Sequence, residues 1–109
     1  MTDTPSIARR VARLRADLRT APSNPAALVR ALADVGRSLD HLTAACNDDE
    51  VAHNLGTPRS LAASYVRATT HLTEAGVDLK LCEDVLRRGQ DRVDQELAAL
   101  ERHLADSSA

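Results

Sequence analysis

LCEDVLRRGQDRVDQELAALERHL, residues 81–104, is the stretch on which the fold turns. At helical spacing it sets Leu86, Val93, Leu97, Leu100 and Leu104 on one apolar face, whose phase slips by about one position at Gly89, as at a stutter. Two readings follow. In one, a single helix runs through Gly89; in the other, Arg87-Arg88-Gly89 closes one helix, Asp91 caps the next, and the chain folds back. Because two linking residues lie near the lower limit for a helical hairpin, the continuous helix is the expected form. Upstream, a stripe in four-three alternation passes through Leu61, Tyr65, Ala68, Leu72, Ala75, Leu79, Cys82 and Leu86, which carries the helix past Gly76 from a start at Pro58.

Three places couple a capping side chain directly to proline: Thr4-Pro5, Asn24-Pro25 and Thr57-Pro58. Each reads as a helix start, since the cap oxygen accepts from an orphan amide of the first turn and proline at the first position forfeits no hydrogen bond. From the first start, Ile7, Val11, Leu14 and Leu18 form an apolar stripe; from the second, Leu28, Leu32, Val35, Leu39, Leu42 and Cys46 form an unbroken heptad seam. Residues 47–57 are the longest non-periodic segment and are expected to be a loop. Asn47 with Glu50, and Gly56 at the far end, could cap one short helix within it, over Asp48 to Leu55.

The expected fold is therefore all-α: an antiparallel up-down helical bundle in one domain over residues 1–109, with helices at about 5–20, 25–46 and 58–106. The bundle has three helices with a long C-terminal one, or four if the chain breaks at Gly89. Composition agrees. Glycine and proline number four each, and Tyr65 is the only aromatic among Phe, Trp and Tyr, so the core must come from Leu, Val, Ile and Ala on slender helices of an elongated molecule. The same lack of aromatics argues against base-stacking platforms and membrane-interface helices. No apolar run reaches bilayer length and the first residues lack a secretory-signal layout, so the expectation is a cytoplasmic protein with no membrane partner and reduced thiols.

If the first three helices alternate in direction, their stripes meet in layers: Leu18 with Leu28 and Leu79, Leu14 with Leu32 and Ala75, Val11 with Val35 and Leu72, Ile7 with Leu39 and Ala68. This scheme leaves Leu86, Val93, Leu97, Leu100 and Leu104 without intrachain partners. Exposing them would forgo on the order of 1.5–3 kcal/mol each. A continuous helix would project roughly 35 Å beyond the bundle and require another chain, whereas a fold-back would cover the same residues internally.

No motif points to catalysis. His41, His53, His71 and His103 are scattered, with only His71-x-x-Glu74 approaching a paired metal spacing. Cys46 and Cys82 occupy seam positions and act as small apolar side chains, too far apart along the axis to bridge. Asp48-Asp49-Glu50 lacks the spacing and central glycine of a calcium loop, and the chain offers neither a phosphate-binding glycine loop nor a Ser-His-Asp set. The expectation is no enzyme activity, no cofactor and no metal.

Charge is more informative. Residues 1–46 hold seven Arg against four Asp, and residues 47–109 hold seven basic against twelve acidic groups, within a net charge of −2. Attraction between the two halves is the expected use of this asymmetry, ahead of an external acidic ligand, with arginines beside the apolar stripe covering it or pairing with acids on neighbouring helices. The first helix nevertheless carries Arg9, Arg10, Arg13, Arg15 and Arg19 against Asp17 alone, and Arg9, Arg10 and Arg13 are the candidate contacts to an anionic ligand.

Two helical arms about a central turn in a chain of 109 residues resemble, in architecture, the small helical WXG100 proteins exported by type VII secretion. Their Trp-x-Gly turn is absent, with Asn54-Leu55-Gly56 in its place, and no functional residue transfers. The functional expectation is a non-catalytic helical interaction or assembly module, self-associating or holding a partner helix through Leu86, Val93, Leu97, Leu100 and Leu104. The alternative is a small nucleic-acid-binding regulator using the arginine-rich first helix.

Overall fold

Helix starts are fixed by three side chains. In the computed structural model, which describes residues 3–108 with side chains to residue 106, Asp3 accepts from the Ser6 amide at 2.8 Å and Asn24 from the Ala27 amide at 2.8 Å. Asp48 accepts from the amides of Glu50 and Val51 at 2.9 and 3.3 Å. These begin α1 (Thr4–Arg19), α2 (Pro25–Ala45) and α3 (Asp49–Glu74); a 3₁₀ turn (Leu79–Cys82) leads into α4 (Glu83–Ser108). Asn24-Pro25 thus acts as expected. At the first start the cap is Asp3, one residue before Thr4; hydrogen bonds from the side chain and then the amide of Ser6 hold the Asp3 carboxyl below its ordinary range.

Thr57-Pro58 is not a start. The expected loop over 47–57 is helix from Asp49 onward, and Pro58 lies inside α3. An interior proline costs a helix about 3 kcal/mol through its missing N–H and its ring clash. Here the ring is buried, and the turns before it bury Val51 and Leu55, 3% and 0% exposed, an apolar gain of the same order or larger. Asn54-Leu55-Gly56 accordingly sits within a helix, so the two-armed architecture with a central turn there does not hold.

The reversal lies elsewhere. Two residues past the end of α3 lies Gly76, whose φ of +93° is reached without strain only by glycine. The Gly76 amide bonds the Thr73 carbonyl at 3.0 Å and the Val77 amide bonds that of Leu72 at 2.9 Å, a Schellman closure that satisfies the last carbonyls of the helix. Asp78 then caps the 3₁₀ turn through the Lys80 amide at 3.0 Å. The expected helix over 58–106 is therefore two helices. Its continuity through Gly89 holds, since α4 passes Gly89 unbroken, but continuity through Gly76 does not.

Named contacts fix the directions. Arg15 and Leu18 of α1 meet Glu101, Asp94 and Gln90 of α4 in reverse order; Gly36 and Asp40 of α2 meet Ala62 and Arg59 of α3; Glu50 and Tyr65 of α3 meet His103 and Gly89 of α4. All three pairs are antiparallel. α2 packs most extensively on α3 and α1 on α4, while the α1–α2 seam is slighter. This is the up-down bundle in its four-helix form, elongated at 48 × 22 × 16 Å.

Leu86, Val93, Leu97, Leu100 and Leu104 are all buried in the core, none more than 4% exposed. Their burial stabilises the folded-back chain by about 10 kcal/mol relative to a projecting helix. The layers change with it. Along α3 the buried positions are Val51, Leu55, Pro58, Ala62 and Thr69, with Tyr65 half-buried among them. This second four-three series shares Tyr65 with the expected stripe but is rotated from it, because α3 faces α2 and α4 rather than α1 and α2. Ala68, Leu72 and Ala75, expected to close layers against α1, are exposed.

Candidate functional site

The chemistry available to this molecule lies in its grooves, and two of them follow directly from how the helices pack. α2 and α3 approach closely because Gly36 faces Ala62: a Cβ built on Gly36 would stand 3.8 Å from the Ala62 Cβ. Outside that contact, Ala33, Gly36, Ser60, Ala63 and Ser64 leave a groove of about 500 Å³ with a mostly apolar lining. Arginines rim it. Arg59 reaches Asp40 across the helix pair at 3.4 Å, Arg37 is paired with Asp34 on its own helix, and Arg67 has no ion-pair partner among the described residues.

The second groove runs along the slighter α1–α2 seam. Arg10, Arg13 and Asp17 line one wall and Ser38 and His41 the other, over Leu14 and Leu42, in a cleft of about 430 Å³ open to solvent. The cleft sets the Arg10–Asp17 stretch opposite Ser38–Leu42, further along α2 than the expected pairing of Leu14 with Leu32. The short link to α2 does not hold α1 against it as a tight hairpin, since α1 lies chiefly on α4.

The arginines of α1 divide by direction. Arg15 points to α4, with its Nε 2.9 Å from Asp94 and an Nη 3.4 Å from Glu101. The hydrogen bond to Asp94 first, then the charges of both acids, outweigh desolvation and hold the guanidinium more firmly protonated than usual. On the same side, the Gln90 amide donates to the Leu18 carbonyl at 2.8 Å, satisfying one of the last carbonyls of α1. The pairing of α1 arginines with acids on a neighbouring helix is thus found at Arg15. Arg9 faces outward and donates to Ser6 Oγ at 3.1 Å. Of the three candidate anion contacts, the fold brings Arg10 and Arg13 into one cleft and leaves Arg9 outside it.

Leu86, Val93, Leu97, Leu100 and Leu104, expected to bind a partner, belong to the core and offer no docking surface. Among the histidines, His41 joins the α1–α2 cleft and His53 is exposed beside another shallow groove. His71 is exposed near the end of α3, and His103 lies 3.5 Å from a Glu50 oxygen. Cys46 and Cys82 are free thiols donating to the carbonyls of Asp48 and Asp78. Asp48 serves as the α3 cap, with Asp49 and Glu50 in the first turn, where the helix dipole favours carboxylates. Among the described residues no three His, Cys, Asp or Glu side chains converge as metal ligands, and no helix is long and apolar enough to cross a membrane.

Sequence reasoning did not find either groove. The first had a signal in the small residues Ala33, Gly36, Ser60, Ala63 and Ser64 at helical spacing; the second had none outside α1, because Ser38 and His41 gain meaning only from the register. Comparison with protein-family models, with curated protein sequences and with solved structures finds no match in any of the three.

Proposed function

We propose that this protein is a non-catalytic interaction module that receives an amphipathic helix of a partner protein in the groove between α2 and α3. The supporting observation is the make-up of that groove: a mostly apolar floor of small side chains along two helices, with arginines on its rim. Small residues allow a third helix to approach within the 8–10 Å typical of helix packing. Arg67, without an ion-pair partner among the described residues, favours an incoming helix with a carboxylate beside its apolar stripe. Small aliphatic groups, hydroxyls and arginines suit packing and charge matching rather than proton transfer. This reading keeps the expected class of function and moves the surface from α4, whose apolar face is spent on the core.

The test is site-specific photocrosslinking in cells with a probe at Ala63 and, as a control, at Gln95, exposed on α4. A helical segment of one partner protein captured at Ala63 and lost when Ser64→Trp fills the groove supports the reading, whereas capture of a second copy of this chain alone overturns it in favour of self-association. Crosslinking at Ala63 no greater than at Gln95, or unaffected by Ser64→Trp, overturns it.

A further inference from the structure

The α1–α2 cleft differs in chemistry from the helix-receiving groove, and a different ligand suits it. We propose that this cleft binds a small phosphomonoester bearing hydroxyl groups, a ligand of sugar-phosphate size.

Arg10 and Arg13 stand one turn apart on the same wall of the cleft, and neither has an ion-pair partner among the described residues. A guanidinium presents a planar fork of donors that matches phosphate oxygens two at a time, and two such forks suit a dianion. Across the cleft, the Ser38 hydroxyl and the His41 ring add donors from α2. The volume of about 430 Å³ falls within the range of small-molecule sites, roughly 300–1,000 Å³. Leu14 and Leu42 give the cleft an apolar floor that keeps water from one side of a bound group.

Asp17 decides the class further. It is the one carboxylate on the lining, and it would repel a bare anion held by the arginines beside it. A ligand that carries hydroxyls next to its phosphate offsets part of that repulsion, because a carboxylate accepts from hydroxyl donors, and an ion without hydroxyls gains no such bond. The same acid works against a polynucleotide backbone, whose successive phosphates require a continuous cationic track. A sugar phosphate therefore fits better than inorganic phosphate, sulfate or a nucleic acid.

The experiment is a titration of the full chain by NMR and calorimetry with glucose 6-phosphate, inorganic phosphate, sulfate, glucose and a short DNA duplex. The expected result is saturable binding of glucose 6-phosphate ahead of inorganic phosphate, with none for glucose. Both arginines are exposed, so Arg10→Gln and Arg13→Gln should retain the wild-type melting curve and each weaken binding about tenfold. Asp17→Ala, which removes both the charge and the acceptor, should tighten inorganic phosphate and erase the preference for the sugar ester. Three results overturn the proposal: no saturable binding in the millimolar range, binding untouched by both arginine variants, or salt-dependent duplex binding without phosphomonoester binding. The last would install the nucleic-acid reading of Arg9, Arg10 and Arg13 in its place.

Discussion

Replacing Gly89 by Ala should destabilise this protein, although the same change in an exposed helix interior would stabilise it. Gly89 is buried in the second turn of α4, and a Cβ placed there would stand 2.7 Å from Tyr65 Cγ, 2.9 Å from Cδ1 and 3.2 Å from Cβ. These atoms sit at the base of the tyrosine side chain, so relief requires a new χ1 or a shift of α3 against α4. Alanine gains about 1 kcal/mol over glycine in a helix, and overpacking of this kind costs about 1–3 kcal/mol. With two contacts under 3.0 Å the upper part of that range applies, about 2–3 kcal/mol, and the net loss is about 1–2 kcal/mol, or a Tm lower by about 4–10 °C in a domain near this size. Thermal and urea melts followed by circular dichroism would measure it. Gly36→Ala is the matched control: its Cβ would meet Ala62 at an ordinary 3.8 Å, so the helix gain should appear undiminished. In a Tyr65→Ala background Cγ and Cδ1 are gone and the penalty should largely vanish, giving a coupling of about 1 kcal/mol or more between the two sites. A Gly89→Ala protein that melts at or above wild type, with no coupling to Tyr65, would refute the packing described here.

Leu97→Asp with Leu100→Asp should abolish the folded monomer. Each change loses a buried Leu worth about 1.5–3 kcal/mol and leaves an unpaired carboxylate in the core, against a total stability of about 5–15 kcal/mol. Far-ultraviolet circular dichroism with light scattering would check this, and an oligomer dissociating into folded monomers would instead place those residues between chains. Gly76→Ala should cost about 1–2 kcal/mol, because the φ of +93° suits glycine and crowds a Cβ. An unchanged urea midpoint would mean that the closure of α3 does not depend on this turn.

The parts of the fold legible in the sequence were those set by local chemistry acting alone. Asn24 before Pro25, the seam Leu28-Leu32-Val35-Leu39-Leu42 and the stripe Ile7-Val11-Leu18 all carry over, because each needs only a cap or a periodicity. What failed was arbitration between competing local signals. Thr57-Pro58 looks like a start, yet burial of Val51, Leu55 and Pro58 outweighs a missing hydrogen bond, which only the tertiary structure can reveal. Gly76 has the marks of a helix end, with Val77 and the capping Asp78 after it, but a four-three stripe running across it concealed them. That stripe and the buried series share Tyr65, so periodicity alone could not choose between two faces of α3. The gap in the apolar stripe at Gly89 has a physical cause, whereas the slip in phase falls further on, where Leu97 follows Val93 by a second step of four. Cys82, Leu86, Gly89, Val93, Leu97, Leu100 and Leu104 form the buried series, and Gly89 is its member without a side chain, where the Tyr65 ring takes the place.

The candidate sites were less legible for a related reason. The arginine excess of α1 is visible as composition, but its meaning depends on direction around the helix. Arg15 is drawn to Asp94 and Glu101 and ties the basic first half of the chain to its acidic second half, while Arg10 and Arg13 face α2, where the opposing side chains are Ser38 and His41 rather than carboxylates. The attraction between halves therefore uses only part of the charge available. Had all the α1 arginines served to hold α1 to the bundle, the acids would stand opposite them on α2 as they do on α4. Their absence from that wall is the asymmetry on which the anion-binding proposal rests, and Asp17, on α1 itself, is what separates a ligand with hydroxyls from a simple ion.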